Sequence, residues 1–249
     1  MTVILDLDGV IWLADKAIPG SPEAVGRLRA AGHRVLFLTN NSNPTVADLV
    51  RKLGAMGMPV EPQEIATSSQ AAALLVEPGQ TALVCGGKGV EEALAERGAT
   101  PVYEGEADAV VVGFHKEFDY RRLTTAFRAV LGGARLVGTN DDPTYPTPDG
   151  PVPGGGALLA AVAAAATATP TVAGKPHPPM ADLVRARLGD DLRDTVLVGD
   201  RPSTDGLMAA RLGVPFVLVH SGVKEAPDPA VRVDAEAADL ATAVGAVLA

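Results

Sequence analysis

The sequence predicts an α/β fold in which helices cover both faces of a mainly parallel, doubly wound sheet. Short apolar runs alternate with helical patterns along the 249 residues, and this repeated strand–helix order is typical of the class. Several of the apolar runs are continuous rather than alternating, as expected for parallel strands that are buried on both faces. The chain is long enough for one large domain or two smaller ones.

The predicted strands are short runs of β-branched residues and leucine. In chain order they are Val3–Leu7, Arg34–Leu38, Thr81–Cys85, Ala109–Val112, Arg135–Val137, Thr171–Ala173, Thr195–Val198 and Pro215–Val219. Helical patterns are found at Pro22–Ala31, Pro44–Met56, Ser69–Val76, Val90–Arg97, Tyr120–Leu131, Gly156–Thr167, Pro179–Leu188, Thr204–Leu212 and Leu240–Leu248. Ser21 and Asn43 each precede a proline, so we expect them to cap the first two helices.

Two junctions interrupt this pattern and indicate an inserted domain. Glu77-Pro78-Gly79-Gln80 closes the first third of the chain, and Thr169-Pro170 precedes the last strand–helix series. The stretch between them has a strand–helix pattern of its own. We therefore expect a core formed by residues 1–78 and 171–249, with residues 79–170 inserted as a cap.

Composition excludes several classes of partner. The net charge is −9 and no run of Lys or Arg offers a basic face, so a nucleic-acid partner is not expected. The longest apolar stretch, Ala157–Ala168, is shorter than the about 20 residues of a bilayer span. The single Cys85 has no intramolecular partner, and the strand at Thr2–Leu5 leaves no place for a signal peptide. We expect a cytoplasmic protein without a membrane partner.

The first predicted strand ends in two carboxylates, and in open α/β sheets ligands bind beyond the carboxyl ends of the strands. Asp6 and Asp8 are two residues apart, so in an extended chain both side chains point to the same side. Gly9 would allow a ligand to approach the backbone closely. An acidic turn explains the segment equally well, because Asp-Gly is a common turn signal.

Polar residues also follow two later strands. The hydrogen-bonding side chains of residues 39–42 suit the oxygens of a phosphoryl group, although loop and cap chemistry ahead of Pro44 is an alternative. Lys175 offers a compact positive charge for phosphate. A Walker-type nucleotide loop is excluded there, because Pro176 stands in place of Ser or Thr and no glycine lies five residues before Gly174.

The strand at Thr195–Val198 is followed by Asp200 and, five residues later, Asp205. Carboxylates at this spacing can surround a hard cation, and Mg²⁺ needs only one or two of them together with phosphate and water. Asp205 can instead stabilise a helix N-terminus, and the two roles are compatible.

In this order the four segments resemble the motifs of the haloacid dehalogenase-like (HAD) phosphotransferase superfamily: DxDG, a strand-end Ser or Thr, a Lys, and GDxxxxD. The Gly174-Lys175-Pro176 context and the insertion between the second and third motifs look like the 4-nitrophenylphosphatase or NagD-like branch, subfamily IIA. Residues 138–146, leading to Pro153-Gly154-Gly155-Gly156, are similar to the cap of that branch. The resemblance covers essentially the whole chain and implies a Rossmann-like HAD core with an inserted α/β cap.

The resemblance also implies a role for each residue at the strand ends. Asp6 would be the nucleophile that forms an aspartyl-phosphate, and Asp8 the general acid and then the general base. Mg²⁺ would be coordinated by Asp6, the backbone carbonyl of Asp8, and Asp200. Asp205 would support the metal site or orient Lys175.

The remaining implied contacts are to the substrate. The residues expected to hold its phosphoryl group are Thr39, Lys175, Asn40, Asn41 and the backbone amides near Gly9. Tyr145 matches a cap position that faces the leaving group, although packing against the neighbouring prolines is an alternative. Trp12, just after the first motif, would either wall the pocket or pack beneath the cap.

The function expected from these residues is Mg²⁺-dependent hydrolysis of a small phosphorylated metabolite. Phosphomutase-type transfer is an alternative enzyme reaction, and product analysis separates the two. A phospho-acceptor module would need about half this length and no carboxylate at position 8, and a simple phosphate-binding protein would not release phosphate. Caps of this branch often contribute to dimers, so a homodimer is also expected.

Overall fold

A computed structural model of the chain describes residues 1–147, 150–225 and 228–247. The strands are β1 Thr2–Asp6, β2 Trp12–Leu13, β3 Lys16–Ala17, β4 Arg34–Thr39, β5 Ile65–Thr67, β6 Thr81–Cys85, β7 Thr100–Val102, β8 Ala109–Val112, β9 Arg135–Gly138, β10 Thr144–Thr147, β11 Gly150–Pro153, β12 Thr171–Val172, β13 Thr195–Gly199, β14 Phe216–Val219 and β15 Ala235–Ala237.

The helices alternate with these strands. They are α1 Ser21–Ala30, α2 Val46–Ala55, α3 Ser68–Ala73, α4 Lys88–Glu96, α5 Tyr120–Leu131, α6 Gly155–Ala166, α7 Pro178–Leu188, α8 Leu207–Leu212 and α9 Leu240–Val247, with a 3₁₀ turn at Pro62–Glu64 and a π-helical turn at Pro202–Gly206. The predicted end of the last helix, Leu248, lies outside the described residues. Within those residues, the helices all fall short of the length and apolar character that crossing a membrane requires.

The larger sheet has six parallel strands in the order β15-β14-β13-β1-β4-β5. β1 lies between β13 and β4, and Leu5 is in register with Val198 on one side and Phe37 on the other. All three of these residues are buried, because helices cover both faces of the sheet. The predicted doubly wound, mainly parallel α/β fold is confirmed.

A second sheet has five parallel strands in the order β12-β9-β8-β6-β7. Its edge strand β12 pairs with β9, with Thr171 in register with Val137. The predicted division assigns Thr171 and Val172 to the core. In the structure these two residues form β12, which extends the second sheet. The chain reaches the core site directly afterwards, at Gly174. The division into 1–78 with 171–249 and 79–170 stays a prediction.

Both predicted helix caps are wrong. Ser21 is the first residue of α1, whose N-cap is Gly20, and the Ser21 hydroxyl donates to the Ile11 carbonyl instead of capping the helix. Helix α2 begins at Val46 with Thr45 as its N-cap, not with Asn43 ahead of Pro44. The Thr45 hydroxyl accepts from the Asp48 amide, and the Asp48 carboxylate accepts from the Thr45 amide. This reciprocal capping box satisfies two helix-end donors at once, and it explains why the helix starts later than the proline suggests.

Candidate active site

The carboxyl ends of the central strands of the larger sheet form the floor of a cavity of about 70 Å³. Asp6 ends β1, Thr39 ends β4 and Asp200 follows β13, so parallel pairing brings the three side chains together. Most of the predicted site residues line this cavity, namely Asp6, Asp8, Gly9, Thr39, Asn40, Asn41, Tyr145, Lys175 and Asp200. Asp205 contacts Lys175 from outside this lining.

A buried ionic cluster occupies the centre of the floor. Lys175 Nζ donates to Asp6 Oδ1 and to Asp205 Oδ1, both at 2.6 Å. One carboxylate oxygen each from Asp6, Asp200 and Asp205 lie within 4.8 Å of one another. Three carboxylates against one ammonium leave two negative charges in a site where all four side chains are buried.

The pKa values reflect this imbalance. Burial raises the pKa of Asp6, and the attraction of the Lys175 ammonium offsets that only in part. Burial, with repulsion from Asp205, raises the pKa of Asp200 to about 7. Burial by itself lowers the pKa of Lys175, but the carboxylates of Asp205 and Asp6 outweigh burial and raise it. The carboxylates therefore keep Lys175 protonated, but its single positive charge does not neutralise all three of them.

Two glycines fix the place of Asp200. A Cβ at Gly9 or at Gly222 would overlap Asp200 Oδ2, and that oxygen accepts a hydrogen bond from the Val223 amide at 2.6 Å. Gly9 also has a φ of 89°, a left-handed conformation that side chains disfavour. The turn after β1 and the loop after β14 thus close directly on this carboxylate.

The loop after β4 is held by its own side chains. Thr39 is 1% exposed, and its Oγ1 accepts from the Asn41 amide at 3.0 Å, which leaves the hydroxyl proton available to a ligand. Asn41 Oδ1 accepts from the Asn43 amide at 3.1 Å. These bonds keep the loop in a tight turn at the edge of the cavity.

The Asn40 side chain makes contacts only with protein in the described part of the chain. Its Nδ2 donates to Asp142 Oδ2 at 2.9 Å and to the Lys175 carbonyl at 3.0 Å. Its Oδ1 accepts from the Lys175 amide at 2.7 Å. Both Nδ2 hydrogens are therefore used, and the side chain links the Lys175 backbone to the residues that follow β9.

Asp8 lies beside this cluster in a different environment. Its Oδ1 accepts from Trp12 Nε1 at 3.0 Å and from the Tyr145 hydroxyl at 3.4 Å. Burial raises the pKa of Asp8, and the hydrogen bond from Trp12 is the largest influence in the opposite direction. The Tyr145 ring stacks on Phe114 with their centroids 5.1 Å apart, so an aromatic pair stands over the carboxylate.

The structure adds cavity residues that the sequence analysis did not assign. They include Phe114, Asn140, Asp142, Arg201, Gly222 and Val223. Arg201 Nη1 lies 3.6 Å from Asp142 Oδ1 and forms an ion pair across the cavity. Phe114 follows the end of β8 and Gly222 follows the end of β14, so reading every predicted strand end would have identified both.

Models of known families match both ends of the chain. One, described as haloacid dehalogenase-like hydrolase, matches residues 3–100, and a second, described as HAD-hydrolase-like, matches residues 172–243. Glycerol-3-phosphate phosphatase of Gallus gallus is 35% identical, and the alignment covers 89% of this chain and 80% of that protein. The chain belongs to the haloacid dehalogenase-like hydrolase family. The resemblance stated from its motifs is confirmed.

Other members of the family agree in sequence and in fold. Acid sugar phosphatase of Staphylococcus haemolyticus is 32% identical over 88% of this chain and 85% of its own. The p-nitrophenyl phosphatase from Archaeoglobus fulgidus has a TM-score of 0.90 and 30% identity over 98% of both chains. Glycerol phosphate phosphatase from Mycobacterium tuberculosis, solved in complex with magnesium, has a TM-score of 0.88 and 31% identity over 97% of this chain and 75% of that chain.

These similarities assign the chain to the 4-nitrophenylphosphatase-like branch, subfamily IIA, and make it a phosphomonoester hydrolase. The relatives act on small phosphate esters according to their names. The prediction of an enzyme is therefore confirmed, and so is its reaction class.

Proposed function

We propose that this HAD phosphatase hydrolyses small phosphomonoester metabolites with Mg²⁺ and through an aspartyl-phosphate formed on Asp6. The observation that carries the proposal is the buried cluster of Asp6, Asp200 and Asp205 around Lys175 Nζ. Asp6 Oδ1 is bonded to Lys175, whereas Oδ2 has no hydrogen-bond partner among the residues that the structure describes. That oxygen is the one we assign to nucleophilic attack.

The donor set fits a hard divalent cation. With all three carboxylates ionised, the cluster carries two more negative charges than positive ones, and oxygens of Asp6 and Asp200 remain without partners within the described ranges. Asp205 differs, because its Oδ1 accepts from Lys175 and its Oδ2 accepts from the Arg201 amide at 3.2 Å. We therefore assign Mg²⁺ to Asp6, Asp200 and the Asp8 carbonyl, and the orientation of Lys175 to Asp205. When bound, the cation neutralises charge on the phosphoryl oxygens.

The reaction then proceeds in two balanced displacements. An Asp6 oxygen bonds to phosphorus, the bond to the leaving oxygen breaks, and Asp8 gives that oxygen its proton. In the second step Asp8 takes a proton from water, the water oxygen bonds to phosphorus, and the bond between Asp6 and phosphorus breaks to release inorganic phosphate. Covalent capture divides one difficult hydrolysis into two easier steps, and proton transfer by Asp8 assists both.

The contacts of Asp6 and Asp8 support this division of labour. Asp6 touches an ammonium that favours its charged, nucleophilic form. Asp8 has no cation bonded to its carboxylate in the described part of the chain, and burial raises its pKa, which favours the protonated form that a general acid needs. Burial raises the pKa of Asp6 as well, so its charged form depends on Lys175 and on a bound cation. Two carboxylates in different environments can thus take opposite roles.

Phosphate binding falls to polar and positively charged groups at the strand ends that line the cavity. We assign the Thr39 hydroxyl, the Lys175 ammonium, Asn41 and the amides near Gly9 to the phosphoryl oxygens. For Asn40 the contacts favour a positioning role, because its amide hydrogens already bond Asp142 and the Lys175 carbonyl. It would hold the Lys175 backbone rather than touch phosphate.

The substrate class follows from the cavity and from the aromatic pair in its wall. Phe114 and Tyr145 form its wall above Asp8, and we assign the leaving group to this wall. The names of the relatives make glycerol phosphates and sugar phosphates the first candidates for this chain. A partly enclosed cavity at the strand ends favours a small phosphorylated metabolite over a phosphoprotein or a nucleic acid.

The proposal extends to the setting of the enzyme. The buried Cys85, the only cysteine of the chain, suits a reducing compartment, so we propose a cytoplasmic enzyme. We also propose a homodimer, which sedimentation at several protein concentrations would test.

The deciding experiment is a phosphate-release screen over a panel of small phosphate esters, with and without Mg²⁺, with Asp6→Asn as the blank. We expect release of inorganic phosphate from at least one glycerol or sugar phosphate, dependent on Mg²⁺ and lost in the blank. Activity of Asp6→Asn near that of the wild type would remove the nucleophile, and an isomeric phosphate ester as the product would indicate a mutase.

A further inference from the structure

A tight turn after β1 brings Trp12 back onto Asp8. The Leu7 carbonyl accepts from the Ile11 amide at 2.9 Å and from the Trp12 amide at 3.1 Å. The Gly9 amide donates in turn to the Trp12 carbonyl at 2.7 Å. These backbone hydrogen bonds hold the turn together and place the Trp12 backbone next to Asp8.

The indole ring is held on both sides. Trp12 is 3% exposed and packs with the apolar residues of α1 and the larger sheet. Lys52 Nζ lies 4.3 Å from the ring centroid, close enough for a cation–π contact. The same ammonium donates to the Ala14 carbonyl at 2.8 Å, which ties Lys52 of α2 to the β2–β3 hairpin. The ring therefore has little freedom to turn.

From this fixed ring, Nε1 donates to Asp8 Oδ1 at 3.0 Å. The Tyr145 hydroxyl approaches the same oxygen at 3.4 Å, so two donors from different parts of the chain converge on Oδ1. Oδ2 has no donor among the described residues, although Asp8 lines the catalytic cavity. An oxygen that accepts two hydrogen bonds is the less favourable place for a carboxylic proton.

We propose that Trp12 is a positioning residue that fixes the orientation of the Asp8 carboxyl group, so that Oδ2 carries the proton and delivers it to the leaving oxygen. The inference rests on the proposed function, in which Asp8 is the general acid. Without the indole N–H, only the longer contact from Tyr145 would hold Oδ1. The carboxyl group could then rotate, and the proton would face the leaving oxygen for a smaller fraction of the time.

The test compares two substrates that differ in their need for a proton. The alkoxide released from glycerol 3-phosphate must be protonated as it leaves, whereas 4-nitrophenolate is stable without protonation. Because kcat/KM reports the first displacement, it isolates the step in which Asp8 acts as an acid. The variants are Trp12→Phe, Asp8→Asn and, as a packing control in the same apolar cluster, Val25→Ala.

We expect Trp12→Phe to lower kcat/KM for glycerol 3-phosphate by about 10- to 50-fold, which is less than the full contribution of a general acid. For 4-nitrophenyl phosphate the loss should be less than about threefold. Asp8→Asn should show the same selectivity with a larger loss. Val25→Ala should lower the thermal midpoint while the ratio of the two kcat/KM values stays unchanged.

Equal losses on both substrates, or no loss, for Trp12→Phe would show that Trp12 only packs. If Asp8→Asn is selective and Trp12→Phe is not, the inference alone fails. If Asp8→Asn itself shows no selectivity, the proposed acid role of Asp8 fails. Should Trp12→Phe not fold, the benzothiophene analogue of tryptophan removes the N–H and keeps the ring shape, and it enters only at position 12 because the chain has a single tryptophan.

Discussion

The two parallel sheets of the molecule are built alike, yet their carboxyl ends are used differently. In the larger sheet the ends of the strands present charged groups to a cavity, as Asp6 does at the end of β1. In the second sheet, the residues directly after β8 and β9, Gly113 and Thr139, contact a loop of the same chain, although Phe114 and Asn140 next to them reach the cavity. Ser42 Oγ accepts from Thr139 Oγ1 at 3.0 Å, and a Cβ at Gly113 would crowd that serine oxygen.

The difference indicates that the strand topology determines where a crevice forms, whereas its side chains determine whether a ligand or a protein loop occupies it. Both sheets meet the rule that strand ends converge on one crevice. Buried carboxylates in one crevice leave charge that a ligand must balance, whereas glycines in the other allow a protein loop to approach closely. A Cβ at Gly87 would likewise overlap Asn43, so the loop after β4 contacts the second sheet on one side and the catalytic cavity on the other.

The strongest test of this comparison removes the proposed nucleophile from the charged crevice. Asp6→Asn keeps the shape of the side chain and its place beside Lys175, but the neutral amide oxygen cannot attack phosphorus effectively. We expect phosphate release to fall by about 10⁴-fold or more, while circular dichroism and the thermal midpoint report a folded protein. Substantial remaining turnover would mean that the reactive group lies elsewhere.

The next test removes the ammonium. Lys175→Met keeps the length of the side chain but leaves Asp6 and Asp205 buried without their partner, so we expect the free energy of unfolding to fall by about 3–5 kcal/mol. Urea denaturation measures the change. Arg51→Met is the matched control, because the ion pair of Arg51 with Asp48 is largely exposed and should contribute less than about 1 kcal/mol.

A smaller effect, of opposite sign, is expected for Asp200→Asn without metal. The pKa of Asp200 is raised from 3.8 to about 7, so between these values the folded protein binds more protons than the unfolded chain. The stability contributed by this group is present at acid pH and is lost as pH rises through about 7.

Asparagine carries no charge, so at pH 8 with a chelator we expect Asp200→Asn to unfold with a free energy higher by about 1–3 kcal/mol than the wild type. At pH 4 the two proteins should be nearly equally stable, since the folded wild type is then protonated at Asp200. A variant less stable than the wild type at pH 8 would contradict the idea that this crevice lacks positive charge. Measured thermal and urea midpoints at both pH values give the comparison.

The smallest change is expected at the second sheet. Ser42→Ala leaves the buried Thr139 hydroxyl without its partner and should cost about 1–2 kcal/mol of stability, with kcat/KM changed by less than about threefold. The double variant Ser42→Ala with Thr139→Val should be more stable than the sum of the single effects predicts, because it removes both polar groups. A large loss of turnover in these variants would show that the second crevice shares in catalysis.

The sequence was sufficient to predict the features that depend on strand order. Asp6, Thr39 and Asp200 could be predicted as neighbours, because the ends of adjacent parallel strands must meet. The capping box at Thr45 was also present in the sequence, but the proline after Asn43 suggested an earlier helix start.

Contacts between distant segments could not be predicted in the same way. The hydrogen bond from Asn40 to Asp142 joins residues 102 positions apart, and it depends on how the second sheet lies against the first. The pairing of β12 with β9 also joins distant segments. It could not be predicted, because nothing in the two residues of β12 indicates which sheet they extend. For Trp12 the sequence allowed two interpretations, packing or lining the pocket, and the structure shows a buried ring whose N–H donates to the Asp8 carboxylate.

The position of Trp12 also gives the enzyme an internal optical probe. Indole emission responds to nearby charge, and the single fluorophore of this type in the chain has a carboxylate 3.0 Å from its nitrogen and an ammonium 4.3 Å from its ring. Ultraviolet-excited fluorescence of the unlabelled protein should therefore report charge brought near Asp8, such as added Mg²⁺ or inorganic phosphate, without background from any other tryptophan.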